Sequence, residues 1–198
     1  IDYFLINFLS KQKKSLLVKP MKYGVISGGK KIRSTIIFDT GKIFNINSKK
    51  LLNICAAVEC IHSYSLIHDD LPCMDDDAVR RGKPSTHIKF GEASAVLAGN
   101  SLLTLAFEII ADKTYSINPK LKNEIIKSLA FCSGHTGIAG GQELDLKFEN
   151  KKKSLKQIIA MQKKKTGKLF NFCLYAVGVL AKKNNKQKKF LGNIGEEI

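Results

Sequence analysis

The sequence predicts an all-α protein, and two observations support this prediction. Segment 48–70 repeats apolar residues at the spacing of a helix, and further long helical stretches rich in apolar residues cover 86–111, 121–141 and 158–180. Between the segments lie residues that end helices or form turns, namely Gly28, Gly29, Pro72, Asn118 and Pro119. We therefore expect a set of helices joined by turns and loops.

Length and composition limit the class of protein. A chain of 198 residues, 44% of them hydrophobic, suits one domain with a substantial core. No run of eighteen consecutive apolar residues is present, so we expect no transmembrane segment. The five cysteines lie in apolar surroundings and lack paired Cys-x2-Cys spacing, which favours reduced thiols and a cytoplasmic protein.

The formal net charge of +16 raises the question of nucleic-acid binding. The lysine runs lack the interleaved aromatic residues on which bases stack, so we expect no nucleic-acid partner. Only three of the 33 basic residues are arginines, namely Arg33, Arg80 and Arg81. All of them lie in candidate phosphate sites.

The N-terminal part is predicted to contain two helices. Segment 1–14 is weakly amphipathic and is expected to serve only in packing. Gly28 and Gly29 then end a helix and let the backbone approach a ligand, while Lys30 and Arg33 are expected on one face of the next helix. Taken alone, this pattern is most often only a turn.

Segment 48–70 is predicted to be a buried helix with Ser48 as its N-cap and Asp69 at its end. His62 lies seven residues before Asp69, about two turns away on nearly the same face. A histidine on a buried helix is more often a hydrogen-bonded core residue than a ligand. We assign that structural role to His68.

An acidic cluster follows this helix, because five of the nine aspartates fall within residues 69–77. Such a cluster can be a solvated turn, but these carboxylates repel one another at pH 7 and a helix end needs only one or two. Mg²⁺ is the expected cation, since it binds carboxylate oxygens and shares its coordination sphere with phosphates. Pro72 should kink the chain and bring Asp75 back to Asp69.

Arg80 and Arg81 come directly after the acidic cluster. Metal ions and guanidinium groups suit a diphosphate, because they neutralise it from two sides. Residue chemistry alone therefore predicts a metal-dependent enzyme that acts on phosphate or diphosphate esters.

Two weaker patterns lie further along the chain. Gln142 and Asp145 are three residues apart on a helix, so both can face one cavity. Lys165 and Thr166 stand before Gly167 in segment 158–180, and a lysine in such a run is normally a solvated surface charge.

The string from Ser65 to Pro84 resembles the first aspartate-rich motif of the trans-polyprenyl diphosphate synthases. It is most similar to that of the bacterial short-chain members, the farnesyl diphosphate synthases or geranyltranstransferases. The resemblance implies an all-α, isoprenoid synthase-type helical bundle around a central active-site cavity. We expect residues 1–198 to form a single all-helical domain of this kind, incomplete at both ends and without the second aspartate-rich motif of the family.

The resemblance also implies roles for individual residues. It assigns the binding of the metal ions to Asp69, Asp75 and Asp145. It gives the activation of an allylic diphosphate to Asp69, Asp75, Arg80 and Lys165. It assigns the binding of isopentenyl diphosphate to Lys30, Arg33, His62 and Arg81. The allylic pocket is assigned to Gln142 and Thr166, with Tyr64 as its floor.

Two further details bear on the resemblance. Tyr64 and the insert Pro72 and Cys73 resemble members that stop at a fifteen-carbon product. Ser34 stands where the family commonly has proline, which is expected to loosen the start of the following helix.

The activity that the resemblance implies is condensation of isopentenyl diphosphate with dimethylallyl or geranyl diphosphate to farnesyl diphosphate. Mg²⁺ is the expected cofactor, with Mn²⁺ as a substitute, and a homodimer is the expected assembly. The alternatives are a geranylgeranyl diphosphate synthase, a noncatalytic prenyl-synthase subunit if the second motif is truly absent, a terpene cyclase and a nucleic-acid binder.

Overall fold

The computed structural model describes residues 1–12, 15–26 and 28–198, and most of these residues are helical. The helices are α1 (Asp2–Lys11), α2 (Val18–Val25), α3 (Ile32–Ile43), α4 (Ser48–Asp69), α5 (Thr86–Phe90), α6 (Glu92–Ala111), α7 (Pro119–Ser133), α8 (Ile138–Phe148), α9 (Leu155–Gln162), α10 (Lys168–Leu180) and α11 (Asn185–Glu196). A π-helical segment, Lys163–Gly167, joins α9 to α10. Strands β1 (Val79–Arg80) and β2 (Lys83–Pro84) form an antiparallel hairpin. The predicted all-α fold is confirmed, with this short hairpin as an addition.

Helix α4 lies at the centre of the bundle. Its residues Ile54, Ala57, Val58 and Ile61 are fully buried. It packs chiefly against α6 and α3, while α8 contacts both α4 and the π-helical segment. A helix that is apolar on nearly every side needs neighbours all round. This packing brings the C-terminal end of α4 close to α8.

Several helix boundaries differ from the prediction. Helix α4 is capped by Asn47, whose side chain accepts a hydrogen bond from the Lys49 amide at 2.9 Å, so Ser48 is the first helical residue and not the cap. Segment 86–111 is divided at Gly91, where φ is 84°. Segment 121–141 is divided at Gly134, which separates α7 from α8.

Helix α1 ends at Lys11 and is shorter than the predicted segment 1–14. The end of that prediction, at Lys13 and Lys14, lies outside the described residues. Leu5 and Leu9 are buried and join the main core, which agrees with a packing role for this helix.

Helix α6 is long and apolar enough to cross a membrane when only length and composition are considered. It is the one helix with these properties in the described part of the chain. Core helices meet the same criteria, and α6 packs its Ala95, Ala98 and Leu102 into the hydrophobic core next to α4.

The cysteines do not all have the predicted apolar surroundings. Cys55, Cys60, Cys132 and Cys173 are buried, whereas Cys73 is exposed in the turn after α4. Burial raises the pKa of Cys132 to about 11 and that of Cys55 to about 12, so both thiols are protonated at neutral pH.

Candidate active site

The turn after α4 brings two of the predicted metal ligands together. The Asp75 amide donates a hydrogen bond to the Asp69 carbonyl oxygen at 2.9 Å. The Met74 amide donates to the Leu71 carbonyl oxygen at 2.8 Å in the same turn. The chain therefore folds back directly after the helix, and the kink predicted at Pro72 is confirmed.

The second aspartate of the cluster holds an arginine. Asp70 is buried, and its Oδ1 accepts a hydrogen bond from Arg80 Nε at 2.8 Å and another from a terminal guanidinium nitrogen. Arg80 also donates to Asp77 Oδ2 at 3.0 Å. The hydrogen bonds that Arg80 donates to Asp70 raise the pKa of Arg80. No role was predicted for Asp70 from the sequence, although its position beside Asp69 was the available signal.

Helix α8 places the two predicted residues Gln142 and Asp145 next to the acidic turn. Gln142 is buried, and its Nε2 donates a hydrogen bond to Asp75 Oδ1 at 3.0 Å. Asp145 accepts a hydrogen bond from Lys165 Nζ. Asp75 and Asp145 line one cavity of about 480 Å³. The site therefore combines two helices that are far apart in the sequence.

A close backbone contact allows this arrangement. A Cβ added to Gly141 would lie 2.2 Å from the Lys165 backbone nitrogen in the π-helical segment. No real Cβ fits at that distance, so glycine at 141 lets α8 approach this segment. The approach brings Asp145 within reach of Lys165. Such π-helical segments are frequent at functional sites.

The acidic turn suits Mg²⁺ in the chemistry of its donors, since the carboxylate oxygens of Asp69 and Asp75 are hard ligands. Burial raises the pKa of Asp69 to about 6, with Lys165 opposing the rise and the charges of Asp75 and Asp70 adding to it. Within the described residues, no three His, Cys, Asp or Glu side chains are grouped to hold a metal, and Asp145 is paired with Lys165 instead. Magnesium often uses only one or two carboxylates together with waters and phosphates, so this donor set fits it.

A second cavity, of about 580 Å³, is lined by the four residues expected to bind isopentenyl diphosphate: Lys30, Arg33, His62 and Arg81. Arg33 comes from α3 and His62 from α4. Lys30 precedes α3, so the prediction that it shares a helical face with Arg33 was wrong. The cavity nevertheless collects four positive side chains, because Lys31 lines it as well, and this excess of positive charge suits an anion.

Arg33 is held in this cavity by an aromatic contact. Its guanidinium carbon lies 4.7 Å from the centre of the Phe170 ring. Its Nε is buried and has no hydrogen-bond partner among the described residues. Burial lowers the pKa of Arg33. Arg33 thus brings a half-buried guanidinium to the lining of the cavity, and a guanidinium is suited to bind an anion.

His62 contributes a neutral ring to the cavity. Burial, followed by the charges of Arg33 and Arg81, lowers the pKa of His62 to about 3. The imidazole is therefore uncharged near pH 7, and one of its nitrogens can donate a hydrogen bond.

The same cavity also contains an acidic residue, Glu59, for which no role was predicted from the sequence. Glu59 is 3% exposed, accepts a hydrogen bond from Ser34 Oγ at 2.6 Å and lies 3.6 Å from Lys31 Nζ. Ser34 was expected to loosen the start of α3, but α3 begins at Ile32, and the buried Ser34 ties α3 to α4. The available signal was the position of Glu59 one turn before His62.

Neither of these two cavities is lined by Tyr64, His68 or Thr166. The Tyr64 hydroxyl donates to the Ser133 carbonyl oxygen at 3.3 Å, and its ring contacts that of His68 edge-on. His68 Nε2 lies 3.0 Å from the Val96 carbonyl oxygen, which agrees with its structural assignment. Thr166 is exposed and lines a separate cavity near residues 196–198.

Comparison with known proteins relates this chain to one protein family. The family model described as "Polyprenyl synthetase" matches residues 14–198. The chain is 47% identical over 154 residues to the farnesyl diphosphate synthase of Escherichia coli, covering 77% of this chain and 52% of that protein. It is 38% identical over 194 residues to the farnesyl diphosphate synthase of Bacillus subtilis, covering 89% of this chain and 66% of that protein.

A solved structure shares the fold. An FPP/GFPP synthase from Zymomonas mobilis superposes with a TM-score of 0.93 at 39% identity, covering 100% of this chain and 72% of that one. The chain spans about half to two thirds of the length of the two curated relatives. The expected isoprenoid synthase-type helical bundle is confirmed by this superposition.

Proposed function

Because the chain belongs to the polyprenyl synthetase family, we propose that the protein is a magnesium-dependent short-chain prenyltransferase. It joins isopentenyl diphosphate to dimethylallyl or geranyl diphosphate and yields farnesyl diphosphate. One observation carries the proposal. An acidic site suited to a metal and a basic cavity suited to an anion are joined by two consecutive arginines, as expected for an enzyme that binds two diphosphates differently.

The hairpin divides the two arginines between the sites. Arg80 lies in β1 and bonds Asp70 at the acidic turn. Arg81 lies in the tight turn that follows and donates to the Gly28 carbonyl oxygen in the basic cavity. Two diphosphates bound at these sites would therefore be held by adjacent residues, which favours a reaction between them.

The acidic site is proposed to bind the allylic diphosphate. Magnesium bound at Asp69 and Asp75 would neutralise the charge of this diphosphate and make it a better leaving group. Lys165 and Arg80 add positive charge for the same diphosphate. The bond between the allylic carbon and the diphosphate oxygen breaks, and its electron pair leaves with the oxygen.

The basic cavity is proposed to bind isopentenyl diphosphate through Lys30, Arg33 and Arg81, with a hydrogen bond from neutral His62. The double bond of this substrate attacks the allylic cation and forms the new carbon–carbon bond. A proton is then lost to the departing diphosphate, so no side chain is given the role of general base. Apolar walls exclude the water that would otherwise quench the cation.

The fifteen-carbon product is proposed from Tyr64, whose large side chain is fixed by its hydrogen bond to Ser133. A longer product is the second candidate, because the similar structure from Zymomonas mobilis is named an FPP/GFPP synthase. Gln142 and Thr166 remain proposed contacts of the allylic substrate, and Asp145 a proposed support of the metal.

A cytoplasmic location and a homodimer complete the proposal. Both rest on similarity to the bacterial farnesyl diphosphate synthases, and the four buried cysteines agree with the proposed location.

The test uses radiolabelled isopentenyl diphosphate, geranyl diphosphate and Mg²⁺ with the protein encoded by the complete gene. We expect a labelled fifteen-carbon diphosphate, and no product when EDTA replaces magnesium. A twenty-carbon or longer product would favour the second candidate. Consumption of the allylic diphosphate without incorporation of label would indicate a cyclase, and no consumption would reject the proposal.

A further inference from the structure

Gly28 and Gly29 precede α3 and have positive φ values of 89° and 106°. Both positions favour glycine for this reason. Their surroundings differ. A Cβ added to Gly28 would meet nothing within 4 Å, whereas one added to Gly29 would lie 2.7 Å from the guanidinium carbon of Arg81. The terminal nitrogens of Arg81 would be 2.8 and 3.0 Å from that Cβ.

Arg81 reaches this position from a tight turn. Arg80 pairs with Lys83 across the hairpin, which leaves Arg81 and Gly82 as its two central residues, with φ values of 54° and 73°. Positive φ at both positions is typical of a type I′ turn. The turn fixes the backbone of Arg81, and its guanidinium donates a hydrogen bond to the Gly28 carbonyl oxygen. The guanidinium thus bonds one glycine and packs on the next.

We propose that Gly29 is a positioning residue for Arg81. Its missing side chain provides the space in which the guanidinium lies, and this placement sets the affinity of the basic cavity for a diphosphate. The inference rests on the proposed function for the identity of the substrate, isopentenyl diphosphate. The geometry itself applies to any diphosphate, because a planar guanidinium binds phosphate oxygens well only in a defined orientation.

Gly91 offers a control outside the residues that line the basic cavity, because its φ of 84° is also positive and an added Cβ there would meet nothing within 4 Å. Alanine strains the backbone at either glycine, since both have positive φ. Only alanine at 29 also clashes with the whole Arg81 guanidinium, because the carbon and both terminal nitrogens lie in its way. A difference between the two variants therefore reports the placement of the arginine and not backbone strain.

The first test measures binding of inorganic diphosphate by calorimetry, with EDTA present so that metal-dependent binding is excluded. We expect Gly29→Ala to weaken binding by about tenfold or more, equivalent to about 1.4 kcal/mol. Gly91→Ala should weaken it by less than about threefold. Equal losses in the two variants would overturn the inference.

A double-mutant cycle tests whether the effect acts through Arg81. Gly29→Ala should cost no further diphosphate affinity once Arg81→Ala is present, and additive losses would contradict this. If Gly29→Ala does not fold, adding Arg81→Ala should restore folding, because the clashing group is gone. Failure of the double variant to fold, while Gly91→Ala folds, would reject the contact.

Enzyme kinetics then separate this inference from the proposed function. In the complete protein, Gly29→Ala should raise KM for isopentenyl diphosphate while kcat and KM for geranyl diphosphate change little. If the wild type forms no prenyl product but the variants differ in diphosphate binding as stated, the proposed function fails and the inference on Gly29 stands. A change in kcat alone would count against the positioning role.

Discussion

The backbone amide of Asp75 donates a hydrogen bond to the carbonyl oxygen of Asp69 at 2.9 Å. In an ideal helix, six residues rotate the chain by about 600°, which would direct the two side chains to different sides. The turn at Pro72 removes this separation. The hydrogen bond thus keeps the backbones of both residues together at one end of α4, and the first two predictions depend on it.

Asp69→Asn should remove a magnesium ligand, because an amide is a weaker donor than a carboxylate. Loss of outer-shell partners of a metal costs about 10- to 100-fold, so loss of a ligand should lower Mg²⁺-dependent turnover of geranyl diphosphate by at least about a hundredfold. Steady-state kinetics at saturating Mg²⁺ provide the measurement. Asp76→Asn is the control, since Asp76 is exposed and asparagine tolerates its φ of 51°. Near-normal activity of Asp69→Asn would refute the assignment.

Gln142→Leu should weaken magnesium binding indirectly, because the Gln142 amide holds the Asp75 carboxylate at 3.0 Å. The concentration of Mg²⁺ needed for half-maximal activity should rise by about 10- to 100-fold. Activity at very high Mg²⁺ should largely recover. Glu143→Gln serves as the control, because Glu143 is exposed and pairs with Lys147 on the same helix. An unchanged magnesium requirement in Gln142→Leu would contradict the prediction.

Ser34→Ala should destabilise the fold by about 1–3 kcal/mol, because it leaves the buried Glu59 carboxylate without a hydrogen bond. The free energy of unfolding in urea measures the loss. Thr35→Ala is the neighbouring control, since the Thr35 hydroxyl bonds an exposed backbone carbonyl of Lys31. Equal effects of the two substitutions would show that the buried hydrogen bond between Ser34 and Glu59 does not contribute to the free energy of unfolding.

His62 should make the stability of the protein depend on pH. Its pKa falls from 6.5 in the unfolded chain to about 3 in the folded one, so between these values the unfolded state binds more protons. Stability therefore rises with pH across this window and is lost as pH falls below 6.5. Between pH 7 and pH 5 the loss should be about 2 kcal/mol.

The measurement compares urea unfolding at pH 7 and pH 5 for the wild type and His62→Gln. The variant should lose less stability on acidification, because it lacks the group that protonates in the unfolded state. His135→Gln is the control for removing an exposed histidine. The prediction fails if wild type and His62→Gln lose the same amount.

Local patterns in the sequence predicted much of the site. The apolar spacing of α4, the acid cluster at its end and the effect of Pro72 all act over a few residues, so they could be read without a structure. The residues assigned to isopentenyl diphosphate also came from short motifs, and Lys30, Arg33, His62 and Arg81 do line one cavity.

The partners of these residues could not be read in the same way. Asp70 with Arg80, Glu59 with Ser34, and Asp145 with Lys165 are all pairs formed by the turn or by packing of separate helices. Their formation depends on how closely backbones approach, and no local pattern encodes that distance.

The amino-acid sequence by itself determined that this chain forms helices and that a cluster of acids followed by two arginines comes at the end of α4, because helical periodicity and charge are local properties. Tertiary structure alone decided which charges are paired and which donors remain for substrate. The physical reason is that glycines such as Gly29 and Gly141 have no side chain and so leave space for a neighbouring group. Which group fills that space is known only once the helices are packed.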